Sequence, residues 1–474
     1  MMKQSKKRMR FLLPGLAIKR WLFMAGLGTF LILLGLALAF NMQPVTWAIR
    51  SLQTLALIVP SYISGPVVMI LGMLLCYLGA NRTSKTVMKA TGRPESASLV
   101  DELYKHQQLT RGPKVVAIGG GTGLSTLLRG LKQHTDNITA IVTVGDDGGS
   151  SGRLRKEQGI IPPGDIRNCL AALTDEEQLM TELFQYRFRN GNGLEGHSFG
   201  NLFLTAMCRV TGDMLSAIRA SSAVLNISGR VLPSTLEPIS LSAEMEDGSV
   251  VYGESNIPEA EGRIVRLHSS PADAQPLPDA LAAIADADLI IMGPGSLYTS
   301  VIPNLLIDGL ARAIGERHVP KVYVANIMSQ SGETDGFTVS DHIQAMMDHV
   351  PVERLINAVF VNDSVPKAMQ ERYAQSGAHP IEVDMPVCKA LGVEVVSGPF
   401  VDDTQKGARH NPYRVAQRIM NWYRSEWLVR EFIGRSRRPS PVLPGEKQGI
   451  SDGGIPLAGS VSLAPSSVSN VSNN

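Results

Sequence analysis

Short apolar runs separated by helix-like stretches constrain this chain more than any other feature. Val115 to Ile118, Ile138 to Val144, Ala287 to Met292, Lys321 to Val324 and Ala358 to Val361 are strand-like, in the pattern of strands buried on both faces. Between them stand stretches of helical character: Leu124 to Gln133, Asp175 to Phe188, Asn201 to Val210, Val339 to His349 and Pro366 to Gln375. Strands and helices in alternation predict an α/β fold, a parallel sheet with helices on both faces. One segment breaks the alternation. Asp247-Gly248 lies between Ala243-Glu244-Met245 and Val250-Val251-Tyr252, which predicts a β-hairpin inserted at one side.

The chain has 474 residues, and its flanks differ in composition from this body. Trp21 to Phe40 is a run of 20 uncharged residues and Ser51 to Ala80 a run of 30, each long enough for the ~20 apolar residues that cross a bilayer. Seven of the first 20 residues are Lys or Arg, and Arg82, Lys85, Lys89 and Arg93 follow the second run, whereas the turn between the runs holds only Arg50. The expectation is a transmembrane hairpin over 1–82 with both ends inside, hence a multi-pass protein of the cytoplasmic membrane with its soluble body in the cytoplasm. A cleaved signal peptide is the alternative, disfavoured by the second long run. Residues 83–113 read as a polar linker with one helix around Ser96 to Gln108, and 114–437 as the α/β domain. Beyond Arg438 the chain is rich in Ser, Pro and Gly without an aromatic residue, so 438–474 read as a disordered tail.

Forty-five basic against 43 acidic residues leave a formal charge of +2. That gives no global field for DNA or RNA, and nucleic acid is not expected as a partner. Cys76, Cys169, Cys208 and Cys388 form no CxxC pair, so neither a disulfide framework nor a zinc site is indicated.

Chemistry concentrates where strands end. The first strand enters Gly119-Gly120-Gly121-Thr122-Gly123 and then an apolar helix, an arrangement that lets backbone N–H groups approach a phosphate at the helix amino terminus. The second strand ends in Gly145-Asp146-Asp147-Gly148-Gly149-Ser150-Ser151-Gly152-Arg153, read as a loop of nine residues. Asp146 stands 23 residues after Gly123, about where a Rossmann-like site places the carboxylate for a ribose hydroxyl. Asp146 and Asp147 are equally candidates for a divalent cation, and paired aspartates are also ordinary turn formers. Arg153, Arg155 and Arg167 are the local cations for a diphosphate, while Asp165 reads as a helix cap. Asn201 is a ligand-contact candidate, and His197 reads as a satisfied loop histidine at least as well as a contact. A second glycine loop, Gly293-Pro294-Gly295-Ser296, follows the strand Ala287 to Met292, and Asn326 to Gly336 forms a third loop after Lys321 to Val324. Loops at strand carboxyl ends meet at the ligand edge of an open parallel sheet.

The segments VAIGGGTGLSTLLRGLK, ITAIVTVGDDGGSSGRLR, PPGDIRN, GHSFGN, GPGSLYTSVIPNLL and NIMSQSGETDGFT together resemble the YvcK-type branch of the CofD-like family, over about Lys114 to Arg418. The resemblance implies a Rossmann-like fold and a gluconeogenesis factor that binds UDP-N-acetylglucosamine and regulates cell shape and peptidoglycan synthesis on gluconeogenic carbon. Cell-wall synthesis proteins would then be partners. No cofactor is required on this reading. Carried over, the nucleotide cradle falls on Gly119 to Gly123, the acidic loop on Asp146 and Asp147, and further contacts on Tyr373 and Arg409. The sister branch, 2-phospho-L-lactate transferase, implies the alternative: a transferase acting on a nucleotide-activated donor, with GDP as ligand and Mg²⁺ at Asp146 or Asp147. NAD is a third ligand, for which the glycine spacing is imperfect. Turnover and oligomeric state are left open by the sequence.

Overall fold

The computed structural model describes residues 18–39, 43–58, 61–90 and 99–429, apart from 176, 261, 376 and 403–406. The expected tail at 438–474 lies outside the described residues. Seven parallel strands form the central sheet: β1 (Val115–Gly119), β2 (Ile138–Val142) and β3 (Arg230–Pro233), followed in the chain by β7 (Leu289–Met292), β8 (Lys321–Val324), β9 (Ala358–Asn362) and β10 (Glu394–Gly398), in the order β10-β9-β8-β7-β1-β2-β3. In register, Ala117 of β1 faces Ala140 of β2 on one side and Ile291 of β7 on the other. Val115, Val116, Ala117 and Ile118 are buried, as the continuous apolar run requires of a central strand. The chain builds outward from β1 to β3, then returns beside β1 at β7 and builds the other way. This reversal opens a crevice at the carboxyl ends of β1 and β7.

The helix Gly121–Leu131 buries Leu124, Leu127, Leu128 and Leu131, a stripe at helical spacing that covers the sheet. Each fully buried leucine stabilises by about 1.5–3 kcal/mol relative to exposure. The closing helix Pro412–Trp422 packs on it so tightly that a side-chain carbon on Gly130 would collide with the Pro412 carbonyl. That contact carries the segment preceding Pro412 back to the sheet edge.

The excursion between β3 and β7 is larger than the expected hairpin. β4 (Ser240–Met245) pairs antiparallel with β5 (Val250–Tyr252) across the Asp247-Gly248 turn, and also with β6 (Ile264–Ser270), giving the order β5-β4-β6. The acidic segment is also partly helical: Gly149–Gln158 is a helix, so the loop of nine residues shortens to the residues before it. Its buried face is Ser150, Ser151, Gly152 and Leu154, small residues that leave almost no apolar periodicity to read.

The amino-terminal expectation is corrected. Among the described residues no helix is long and apolar enough to cross a membrane, so a multi-pass membrane location has no support. Of the run Ser51 to Ala80, the described residues fall in two helices, Gln43–Ile58 and Ser61–Ala90. The preceding helix, Ile18–Ala39, carries Lys19 and Arg20 in its first turn. Phe30, Ile32, Trp47 and Tyr62 on these helices are exposed.

Candidate functional site

The first glycine loop is shaped by close approach. Gly120 is extended and caps the helix, and Gly121 takes a left-handed φ of 62°, where a Cβ costs about 1–2 kcal/mol. A carbon added at Gly120 would lie 2.5 Å from a carboxylate oxygen of Asp165 and 2.6 Å from the Thr143 methyl. One added at Gly123 would collide with the Pro294 carbonyl, whereas at Gly121 the nearest group is the Ser300 hydroxyl at 3.7 Å. Gly120 and Gly123 therefore pack, and Gly121 faces open space. Gly119 ends β1, buried, with its carbonyl accepting from Asn304 Nδ2 at 3.1 Å.

The second and third loops are joined by side chains. Asn326 accepts the Gly295 N–H on Oδ1 at 3.3 Å and donates from Nδ2 to Gln330 Oε1 at 3.0 Å, while Gln330 Nε2 donates to Ser296 Oγ at 2.7 Å. Behind them, buried Glu333 accepts from the Tyr298 N–H and the Thr299 hydroxyl. Burial pushes its carboxyl up to about 7 against those two donors.

These loops enclose one cavity of about 480 Å³, lined by Gly120, Gly121, Thr122, Gly123, Asp146, Asp165, Glu254, Gly295, Ser296, Asn326, Gln330, Tyr373 and Arg409, among others. It lies at the carboxyl ends of β1 and β7. Tyr373 is anchored there by the Ala408 N–H donating to its hydroxyl at 2.9 Å. His410 beside Arg409 is buried, and that burial lowers its pKa to about 4, so it is neutral at pH 7.

Three carboxylates face the cavity. Asp146 accepts the Gly148 N–H at 2.9 Å, a short-range turn contact. The Asp165 carboxyl is pushed up to about 6 by burial, opposed by the Gly121 N–H that donates to it and reinforced by the charge of Asp146. Glu254, from the inserted sheet, is pushed up to about 8, first by burial and then by Asp146, Asp165, Asp147 and Glu333. With one proton held on Glu254 at neutral pH, the cavity is less repulsive to an anion than its residue list suggests. Among the described residues no group of three or more His, Cys, Asp or Glu side chains could hold a metal ion.

Other candidates from the sequence sit elsewhere. Asp147 points away from the cavity and accepts two backbone N–H groups, from Glu254 and Ser255. Asn201 is buried, accepting from Arg167 Nη1 at 2.9 Å and donating to Ser150 Oγ at 3.0 Å. Arg167 is itself buried, its Nη1 also donating to Ser198 Oγ at 2.7 Å. His197 Nδ1 pairs with Ser150 Oγ at 3.0 Å. Together these residues brace the start of the helix Gly149–Gln158. Arg153 donates to the Glu195 carbonyl and Arg155 to Ser240, so neither cation is in the cavity. Gly293, at φ 72°, turns the chain into the second loop. Sequence reasoning missed Glu254, which no local motif marks, and assigned Asp165 to capping. The turn PPGD was the available signal for Asp165.

The chain matches the family of the 2-phospho-L-lactate transferase CofD over residues 115–401. It is 52% identical over 306 residues to a gluconeogenesis factor of Halalkalibacterium halodurans, covering 65% of this chain and 95% of that one. To the gluconeogenesis factor of Bacillus subtilis it is 48% identical over 310 residues, 65% of this chain and 98% of that one. A Nostoc sp. relative named for the same factor is 51% identical over 420 residues, 87% of this chain and 92% of its own. A crystal structure of a Bacillus halodurans protein superposes with a TM-score of 0.64 at 51% identity, covering 65% of this chain and all of that one.

Proposed function

The chain belongs to the CofD family, among the gluconeogenesis factors, and from that premise we propose that it binds UDP-N-acetylglucosamine and couples precursor supply to cell-wall synthesis and cell shape on gluconeogenic carbon. One observation carries this reading: both glycine loops, Asp146, Tyr373 and Arg409 line a single cavity. Its volume falls in the ~300–1,000 Å³ range of small-molecule sites. The amino terminus of the helix Gly121–Leu131 supplies N–H groups and a favourable dipole for a diphosphate. Asp146 suits a ribose hydroxyl, Tyr373 an aromatic base and Arg409 a phosphate or carbonyl oxygen. A thermal-shift panel with UDP-N-acetylglucosamine, NAD and GDP, with and without Mg²⁺, tests it. The expected result is a rise in Tm with the sugar nucleotide exceeding that with either other ligand.

A second reading, group transfer from a nucleotide-activated donor, is favoured by Asp165 and Glu254, whose carboxyls stand at about 6 and about 8. Such a pair can accept and donate a proton near neutral pH. Preferential binding of GDP together with a deazaflavin alcohol would select it.

A further inference from the structure

Asp146 and Asp147 are neighbours that part company. Only Asp146 lines the cavity, whereas Asp147 reaches the segment joining β5 to β6 and accepts the N–H groups of Glu254 at 3.1 Å and Ser255 at 3.0 Å. The fit is close, since a carbon added at Gly253, at φ 96°, would lie 2.7 Å from Asp147 Oδ2. Further along this segment Ile257 is buried in the core, and a carbon added at Gly332 of the third loop would collide with the Pro258 carbonyl. The stretch from Gly253 to Pro258 is thus fastened at both ends, and among the described residues of the inserted sheet and its connections it is Glu254 that lines the cavity.

We infer that the inserted sheet is a recognition element: Glu254 contacts the anionic part of the ligand held at the first glycine loop, and Asp147 is a positioning residue that acts through Glu254. This rests on the reading of the cavity as a nucleotide-sugar site. Glu254 is faced by Asp146 and Asp147 from the acidic loop, by Asp165 from the helix Gly164–Leu173 and by Glu333 from the third loop. Burial and these charges keep it protonated at neutral pH, so its O–H can donate to a phosphate oxygen. As pH rises through about 8 the proton leaves. The resulting carboxylate then repels the phosphate it had bonded.

Calorimetry of the full chain with UDP-N-acetylglucosamine from pH 6 to 9 tests this. If only the protonated carboxyl binds well, affinity falls about tenfold between pH 7 and pH 9. Glu254→Ala should lose about tenfold at pH 7 and flatten the pH profile, and Asp147→Ala should do the same although Glu254 is present. The double variant should bind like either single one, because both act on one contact. Losses that multiply, or a pH step that survives in Asp147→Ala, would overturn the inference. If the wild type binds no sugar nucleotide at any pH, the nucleotide-sugar reading fails, and hydrogen exchange decides the clamp without ligand. The Glu254 and Ser255 amides should exchange slowly in the wild type and fast in Asp147→Ala; should that variant not fold, Asp147→Asn, which keeps one acceptor oxygen, should speed one of the two amides. Unchanged exchange would overturn the clamp.

Discussion

The first glycine loop and the acidic loop leave adjacent strands at the same sheet edge, yet they divide their labour differently. In the glycine loop the outer residues pack, Gly120 against Asp165 and Thr143 and Gly123 against the second loop, while Gly121 between them faces open cavity. In the acidic loop identical neighbours separate, Asp146 to the cavity and Asp147 to the inserted sheet. A run of like residues is therefore not a run of like functions. Backbone direction alternates, and each position meets a different wall.

Substitutions can break that comparison, and the largest effect is expected at Gly123. Gly123→Val drives a side chain into the Pro294 carbonyl and should cost about 3 kcal/mol of stability, lowering Tm by roughly 5–10 °C and abolishing binding. At Gly121 the two effects should separate. Gly121→Ala meets no wall but is strained at its positive φ, so it should cost only about 1 kcal/mol in denaturant unfolding while weakening sugar-nucleotide binding tenfold or more. If both variants lose stability equally, the division of roles in the loop is wrong.

Smaller again is Asp146→Asn, which keeps an oxygen for the Gly148 N–H. It should leave Tm in place and weaken binding by about 1–3 kcal/mol through loss of a charge-assisted hydrogen bond. The smallest effect is expected from deleting Met1 to Ala80, whose described residues contribute nothing to the core cluster that begins at Val115. Ligand affinity of the truncated chain should stay within about twofold. A larger loss would mean that the amino-terminal helices help build the site.

What the sequence disclosed follows from where apolar contacts lie. β1, β2, β7, β8 and β9 were legible because inner strands are apolar on both faces. β3 and β10 are the sheet edges, and their burial is interrupted, with Arg230 exposed at the start of one and Glu394 half-buried in the other. Neither shows a continuous run. The helix Gly149–Gln158 escaped because it packs through Ser150, Ser151 and Gly152, and the transmembrane hairpin was over-read because two uncharged runs were taken for spanning helices, which no described helix is. In the site, both glycine loops and Asp146 were legible as loops at strand ends. Glu254 was not, because it reaches the cavity only through the tertiary placement of the inserted sheet. Tyr373 and Arg409 were found by family resemblance, since on the sequence alone they look like a helix surface and a solvated loop.

Whether the cavity at the β1 and β7 ends is a sugar-nucleotide site is tested most directly by isothermal calorimetry of UDP-N-acetylglucosamine against the wild type and Arg409→Ala. Saturable one-to-one binding is expected in the wild type and at least tenfold weaker binding in the variant, whose fold should be intact because Arg409 lines the cavity and lies outside the core. Absence of saturable heat, or equal affinity in Arg409→Ala, would contradict that assignment.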